Sequence, residues 1–233
     1  MREIRVLLVD LGVGAKTSLL PLGSGLVGSF LKDSLDKKKI PNKVDLHLFM
    51  PSEREIKYIS KNYDIIGFAT YVWNINNSLS LAEKLKSENL DLINVFGGYS
   101  IPKPGKGVYQ FFEKNYFVDY IIHGEGEKPF LNLVEQVYLT KFKNEKINFD
   151  ILPKSVSGKC LDIFSKSNKE LKKDDIIEAK EIFDRLPELK DTNHSPFLNG
   201  MFDRLLEKQK DKISGALIET DRGCPYACVF CDW

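Results

Sequence analysis

Cys224, Cys228 and Cys231 follow one another as C-x3-C-x2-C, on a short stretch that also carries Gly223, Pro225, Tyr226 and Phe230. Three thiolates hold three irons of a four-iron cluster and leave the fourth without a protein ligand, which opens one coordination position to a substrate. Three cysteines buried as small hydrophobes would be the plainer reading. Their crowding around glycine and proline argues for ligation instead. Structural zinc usually takes four protein ligands, commonly from two separated pairs. No fourth candidate stands nearby, since Cys160 and His194 are distant in sequence and only folding can bring them close.

At these residues the chain resembles the radical S-adenosylmethionine (SAM) enzymes, whose cluster loop has the same spacing. The resemblance implies a 4Fe-4S cluster on Cys224, Cys228 and Cys231, with SAM chelated at the open iron. An electron from the cluster then cleaves SAM to a 5′-deoxyadenosyl radical. Phe230, before the third cysteine, also fits the family pattern, and Ala216-Leu217-Ile218-Glu219-Thr220 takes the place of the first strand of the family's partial barrel. The family further implies that most of that α/β barrel, with the SAM contacts, follows the loop, whereas Trp233 stands two residues after Cys231. The expectation is therefore a fragment of a longer protein, inactive by itself. Its missing C-terminal barrel would come from the same gene or a separate chain, and an electron donor such as ferredoxin or flavodoxin would act on the whole.

The elements that must position such a loop are those of an α/β protein. The chain has 233 residues, 42% hydrophobic and 29% charged, enough to bury a full core and to form more than one unit. Lys and Arg number 34 against 33 Asp and Glu, so no global field draws the chain to nucleic acid or an anionic membrane. No stretch reaches the roughly 20 apolar residues of a membrane span, and Met1-Arg2-Glu3-Ile4 leads into a strand rather than a signal peptide. A cytoplasmic protein is expected, its clustered cysteines ligating metal rather than forming disulfides.

Residues 1–140 alternate apolar runs with amphipathic segments, the pattern of a parallel sheet covered by helices. Strands are expected at Ile4–Asp10, Val44–Phe49, Ile65–Ala69, Leu92–Phe96 and Tyr120–His123, with helices from about Gly25 to Leu35, after Ser52, around Leu79–Lys86 and from Lys128 to about Leu139. Ser52 with Glu55 has the spacing of a capping box. Five strands in this order make a doubly wound, Rossmann or flavodoxin-like domain.

Ligands of such sheets bind beyond the carboxyl ends of the strands. There the chain places Gly12-Val13-Gly14 and Pro21-Leu22-Gly23, then Thr70-Tyr71-Val72-Trp73-Asn74, then Gly97-Gly98-Tyr99, then Gly124-Glu125-Gly126-Glu127. Glycines at strand ends let backbone approach a large flat ligand without Cβ interference. Gly23-Ser24-Gly25-Leu26-Val27-Gly28 matches G-x-G-x-x-G, but it starts too far beyond the first strand to seat a pyrophosphate on a tight turn. Gly12-Val13-Gly14-Ala15-Lys16-Thr17 lacks the glycine a phosphate loop needs before its lysine.

Taken in order, these loops resemble the cobalamin (B12)-binding domain that precedes the barrel in one large branch of the radical SAM enzymes. The resemblance carries over at Pro21-Leu22-Gly23, Gly97-Gly98 and Gly124-Glu125-Gly126-Glu127 and covers nearly the whole chain. With the strand-end residues beside them, it makes Pro21, Leu22, Gly23, Thr70, Tyr71, Gly97, Gly98, Tyr99, Gly124, Glu125, Gly126 and Glu127 the cobalamin-binding candidates. Glu125 and Glu127 equally suit a cap on the last helix, whose positive end they would face. Cobalamin mutases carry D-x-H-x-x-G with histidine as lower cobalt ligand; Asp10-Leu11-Gly12-Val13-Gly14-Ala15 has no histidine, so cobalamin is expected without one. His123 reads as a satisfied core or rim residue.

Residues 141–214 read as a linker, with lysine-rich loops at Lys141–Asp150 and Lys166–Asp175 and a small hairpin over Ser155–Phe164 turning at Ser157-Gly158. Cys160 there reads as structural. Leu186–Leu189 and Ser195-Pro196 read as extended and Asn199–Lys208 as a short helix, and Ser195–Asp203 is similar to a linker in a subset of the same branch. Residues 215–233 would open the truncated barrel. The whole implies radical-driven methyl transfer or rearrangement on an unknown substrate. Two other readings stay open: a non-catalytic cobalamin carrier or sensor, and a zinc-stabilised interaction module.

Overall fold

The computed structural model describes residues 2–12, 18–143, 152–159, 171–183, 194–220 and 228. In chain order the elements are β1 (Ile4–Val9), β2 (Ser18–Leu20), α1 (Leu22–Lys37), β3 (Asn42–His47), α2 (Glu53–Asn62), β4 (Ile65–Thr70), α3 (Ile75–Glu88), β5 (Ile93–Gly98), α4 (Val108–Lys114), β6 (Tyr120–Ile122), α5 (Glu127–Lys143), β7 (Val156–Lys159), β8 (Ile176–Ile177), α6 (Asp203–Gln209) and β9 (Ile213–Ala216).

The main sheet runs β3-β1-β4-β5-β6-β7-β8. Its first five strands are parallel. Counted as they occur in the chain, those five stand in the order 2-1-3-4-5, the flavodoxin-like winding, with its switch point between β1 and β4. The inner strands β1, β4, β5 and β6 read as largely apolar runs because both faces are covered, whereas the edge strand β3 buries only Val44 fully. On one face α1 and α5 pack over Val6, Leu8, Val95 and Tyr120, with Leu31 and Val134 reaching down from the helices. On the other, Ile56, Leu81, Leu85 and Phe112 of α2, α3 and α4 close over Leu7, Ile66, Phe96 and Ile121. The expected capping box starts α2: the Ser52 hydroxyl accepts from the Glu55 amide and the Glu55 carboxylate accepts from the Ser52 amide at 2.8 Å.

The sheet has seven strands rather than the expected five. β7 is antiparallel to β6, and β8 antiparallel to β7. Ser157-Gly158 is therefore the middle of a strand and not a hairpin turn. The glycine is needed there because the Tyr120 ring lies where its Cβ would stand. α4 has no counterpart among the expected helices, a turn begins at Pro196 where Ser195-Pro196 was expected to be extended, and the helix expected over Asn199–Lys208 starts only at Asp203. Cys160 and Leu186–Leu189 fall outside the described residues.

A separate parallel pair joins β2 to β9, with Leu19 opposite Gly215 and Leu20 opposite Ala216. The strand expected at Ala216–Thr220 thus occurs earlier, at Ile213–Ala216, and Leu217–Thr220 is irregular and exposed. Leu20, Leu48, Phe202 and Leu205 form a small core beneath this pair. Arg204 of α6 closes the corner on Asp45 of β3 at 2.6 Å. Among the described residues, no helix is long and apolar enough to cross a membrane.

Candidate functional site at the carboxyl edge of the sheet

β1, β4, β5 and β6 end beside a cavity of about 710 Å³ on the α1 and α5 side of the sheet. Such a volume lies within the roughly 300–1,000 Å³ typical of cofactor and ligand clefts. Its inner wall is apolar, from Leu8, Val27, Val95, Ile122 and Phe130. The first turns of two helices flank it, α1 through Leu22, Gly23 and Ser24 and α5 through Gly126 and Glu127. Ten of the twelve residues singled out from sequence line this one space: Leu22, Gly23, Tyr71, Gly97, Gly98, Tyr99, Gly124, Glu125, Gly126 and Glu127.

The two that do not line it hold the edge in shape. Thr70 is fully buried and donates its hydroxyl to the Gly97 carbonyl at 2.8 Å, tying the end of β4 to that of β5. This brings Gly98 so close that a Cβ on it would lie 2.5 Å from the Thr70 carbonyl oxygen, and Gly98 itself sits at φ +105°. Only glycine suits that combination. Pro21 caps α1 and accepts from the Gly25 amide at 2.8 Å.

Asn74 is buried where the β1 and β4 ends meet. Its amide donates to the carbonyls of Leu11 at 3.2 Å and Ala69 at 3.1 Å and to Asp10 at 3.4 Å, while its oxygen accepts from the Tyr71 amide at 2.8 Å. Burial pushes the Asp10 carboxyl up to about 6, opposed by a hydrogen bond from Ser24. Tyr71 is also pushed up, by burial first and then by the neighbouring Asp10 and Tyr99. The Tyr71 ring stacks on Trp73 with centroids 4.8 Å apart and an interplanar angle of 9°. Val72, Trp73 and Tyr99 are exposed, and Tyr99 lines the cavity.

His123 lines the cavity but is buried, with Nε2 2.7 Å from the Ser157 hydroxyl oxygen, which also accepts from the Ala179 amide at 2.9 Å. Burial lowers its pKa to about 4, so the ring is neutral at ordinary pH.

Ile101–Pro104, Ile182 and Glu219 also line the cavity, and sequence reasoning did not assign them to it. Val27 had a readable signal, one helical turn after Gly23. Ile182 and Glu219 had none, because they come from segments remote in sequence. A Cβ on Gly124 would lie 3.1 Å from Ile182, so the segment after β8 closes directly on the loop after β6. Of the cluster candidates, Cys228 is exposed, and Cys224 and Cys231 fall outside the described residues. His194 lies on α1, 3.1 Å from Asp33. Among the described residues, no group of three or more histidines, cysteines or acids is placed to hold a metal.

A doubly wound sheet with a glycine-edged, apolar cavity across its switch point defines an α/β protein of the cofactor-binding type. No protein-family model matches the chain. It is 32% identical over 173 residues to the cobalamin-dependent radical SAM methyltransferase TokK of Streptomyces tokunonensis, covering 73% of this chain and 22% of that protein. It is 29% identical over 178 residues to 2-(S-pantetheinyl)-carbapenam-3-carboxylate methyltransferase of Streptantibioticus cattleyicolor, again 73% of this chain and 22% of the relative. The chain belongs to the cobalamin (B12)-binding-domain radical SAM family. It spans 22% of the length of these two relatives.

Proposed function

We propose that residues 1–140 hold cobalamin at the carboxyl edge of the sheet, and that 141–214 lead to a cluster- and SAM-binding loop at 215–233 of a radical SAM methyltransferase. The observation that carries this reading is the convergence of the strand-end residues on one cavity, to which Glu219, five residues before Cys224, also contributes. Both relatives are named as methyltransferases, and methyl transfer is accordingly the reaction assigned here.

The residues present fit the cofactor. At Gly97 a Cβ would meet only Ile122, at 3.7 Å or more, so its absence leaves open space rather than relieving a clash. The bare backbone of Gly97 would admit a broad ring system close to the strand ends, with Tyr71 and Tyr99 lining the same cavity. Leu8, Val27, Val95 and Phe130 would take an aromatic tail and exclude water. His123 is held by Ser157 and is not a cobalt ligand. Asp10 and Tyr71 sit at the same edge, close enough for the Asp10 charge to raise the Tyr71 pKa. Bound in these places, cobalamin supplies a transferable methyl group, and a 4Fe-4S cluster with SAM supplies the electron and the radical. Cys224, Cys228 and Cys231 would hold the cluster. The reading also calls for barrel strands from the same gene or a separate chain, and for a one-electron donor such as ferredoxin or flavodoxin.

Titration with hydroxocobalamin, followed by its visible spectrum, tests the first half. The wild-type chain should shift the spectrum, and Gly97→Val should weaken binding about tenfold or more by filling the site. After reduction, the electron paramagnetic resonance signal should carry no imidazole nitrogen splitting and should be the same in His123→Ala. No spectral shift with the wild type sinks the cobalamin reading. Anaerobic iron and sulfide reconstitution tests the second half, and zinc without sulfide would overturn it.

A further inference from the structure

The Gly23–Gly28 motif has a use that its dinucleotide-like spacing did not suggest. One side of α1, through Leu22, Gly23 and Val27, faces the cavity. A second stripe, Gly25, Gly28, Ser29 and Asp33, is covered along its length by the segment 194–203. A Cβ on Gly25 would lie 2.5 Å from the Phe202 ring and 3.0 Å from Pro196, whereas one on Gly28 would meet Leu8 of the sheet first, at 3.1 Å, and the Met201 sulfur only in ordinary contact at 3.4 Å. Ser29 donates to Asn199 at 3.4 Å, and Asn199 also accepts from the Met201 amide at 3.1 Å. His194 reaches Asp33 at 3.1 Å and packs on Phe30 with ring centroids 5.0 Å apart. Sterics, hydrogen bonding and a polar pair thus act along one stripe at helical spacing.

The segment held there leads through α6 into β9, and β9 is paired with β2, the strand that runs directly into α1. Gly215 allows the close approach, since a Cβ on it would lie 3.2 Å from the Leu19 side chain. α1 therefore grips the path to the cysteine loop at two places, by its glycine stripe and by the strand before it. Three residues past β9, Glu219 returns to the cavity that α1 lines on its other side.

We propose that α1 is the rigid spacer between the cavity and β9, the strand that precedes the cysteines in the chain, with Gly25 as the positioning residue that sets where β9 and Glu219 stand. The spacing itself is a property of the fold. Its consequence for chemistry, a defined separation of two cofactors, rests on the function proposed above.

The test uses two nitroxide labels, one at Lys57→Cys on α2 and one at Asp211→Cys after α6, both exposed positions, with the four native cysteines changed to serine. Pulsed dipolar spectroscopy should give one narrow distance distribution. Gly25→Val should widen it about twofold or more, because overpacking forces the two surfaces apart, and adding Phe202→Ala to Gly25→Val should narrow it again. Phe202→Ala alone removes the knob without overpacking and should also widen the distribution, so the proposal stays testable if Gly25→Val does not fold. An unchanged distance in Gly25→Val, or no rescue by the second substitution, overturns the proposal. Hydroxocobalamin titration of the native-cysteine chain separates the two claims: failure to bind sinks the cofactor reading and leaves the spacer intact.

Discussion

Gly97 and Gly98 are adjacent and both line the cavity, yet alanine should destabilise the chain strongly at Gly98 and scarcely at Gly97. At Gly98 the backbone lies at φ +105°, a region that costs an L-residue of order 1–3 kcal/mol. The new Cβ would also stand 2.5 Å from the Thr70 oxygen and 3.0 Å from the Thr70 nitrogen. Both are backbone atoms of a buried strand, so the overlap is relieved only by moving β4 or β5, and such overpacking costs roughly 1–3 kcal/mol more. The total, about 2–6 kcal/mol, is a large part of the roughly 5–15 kcal/mol that holds a domain together. For a domain of this size it should lower the melting temperature by about 5–20 °C. At Gly97 the φ angle is ordinary for any residue and the nearest atoms to a Cβ are the Ile122 oxygen at 3.7 Å and Cβ at 3.8 Å. Gly97→Ala should therefore stay within about 1 kcal/mol of wild type. Circular dichroism melts and urea midpoints at neutral pH measure both. Equal melting of the two variants, or a Gly98→Ala chain as stable as wild type, would refute the argument from the close approach at Thr70.

Two further predictions concern pH. Burial holds the Lys159 ammonium down to about 8, with Asp119 opposing and Lys86 adding to the shift. At pH below 8 this lysine is charged both folded and unfolded and its burial cost is fully felt; above its ordinary 10.5 the cost has gone. Stability should accordingly rise between pH 8 and 10.5 by roughly 3 kcal/mol, and Lys159→Met should flatten that rise in urea midpoints at pH 7.5 and 10. Asp10 works in the opposite sense: the cost of ionising it in place is absent below its ordinary 3.8 and complete above about 6. Asp10→Asn should stabilise the chain by roughly 1–3 kcal/mol at pH 7.5 and by far less near pH 4. A gain of the same size at both pH values would show that its hydrogen bonds, rather than its charge, set the balance.

Much of the fold was legible because strands covered on both faces must be apolar along their length. Ile4–Val9 and Ile65–Thr70 could scarcely be anything else, and Ser52 with Glu55 announces a helix start by side-chain chemistry alone. The errors fall where a residue's meaning depends on a distant partner. Ser157-Gly158 carries the composition of a turn, yet Gly158 is a strand residue that yields space to Tyr120, whose ring lies across the ladder. α4 is seven residues long behind a glycine- and proline-rich loop, too short for its buried Val108 and Phe112 to show a helical period. β9 was expected three residues too late, because its position follows from pairing with β2, nearly two hundred residues away.

The sequence alone determined what depends on neighbours along the chain: the thiol spacing at Cys224, Cys228 and Cys231, the glycines at the strand ends, and the absence of histidine after Asp10. Only the tertiary structure decided that Ile182 and Glu219 wall the same cavity as Gly23 and Gly124. It also turned Gly25 of α1 into a seat for Phe202 rather than for a phosphate. The physical reason is the range of the forces. Capping, φ preference and ligand spacing act within a few residues, whereas a cavity wall is made by whichever side chains packing brings to it.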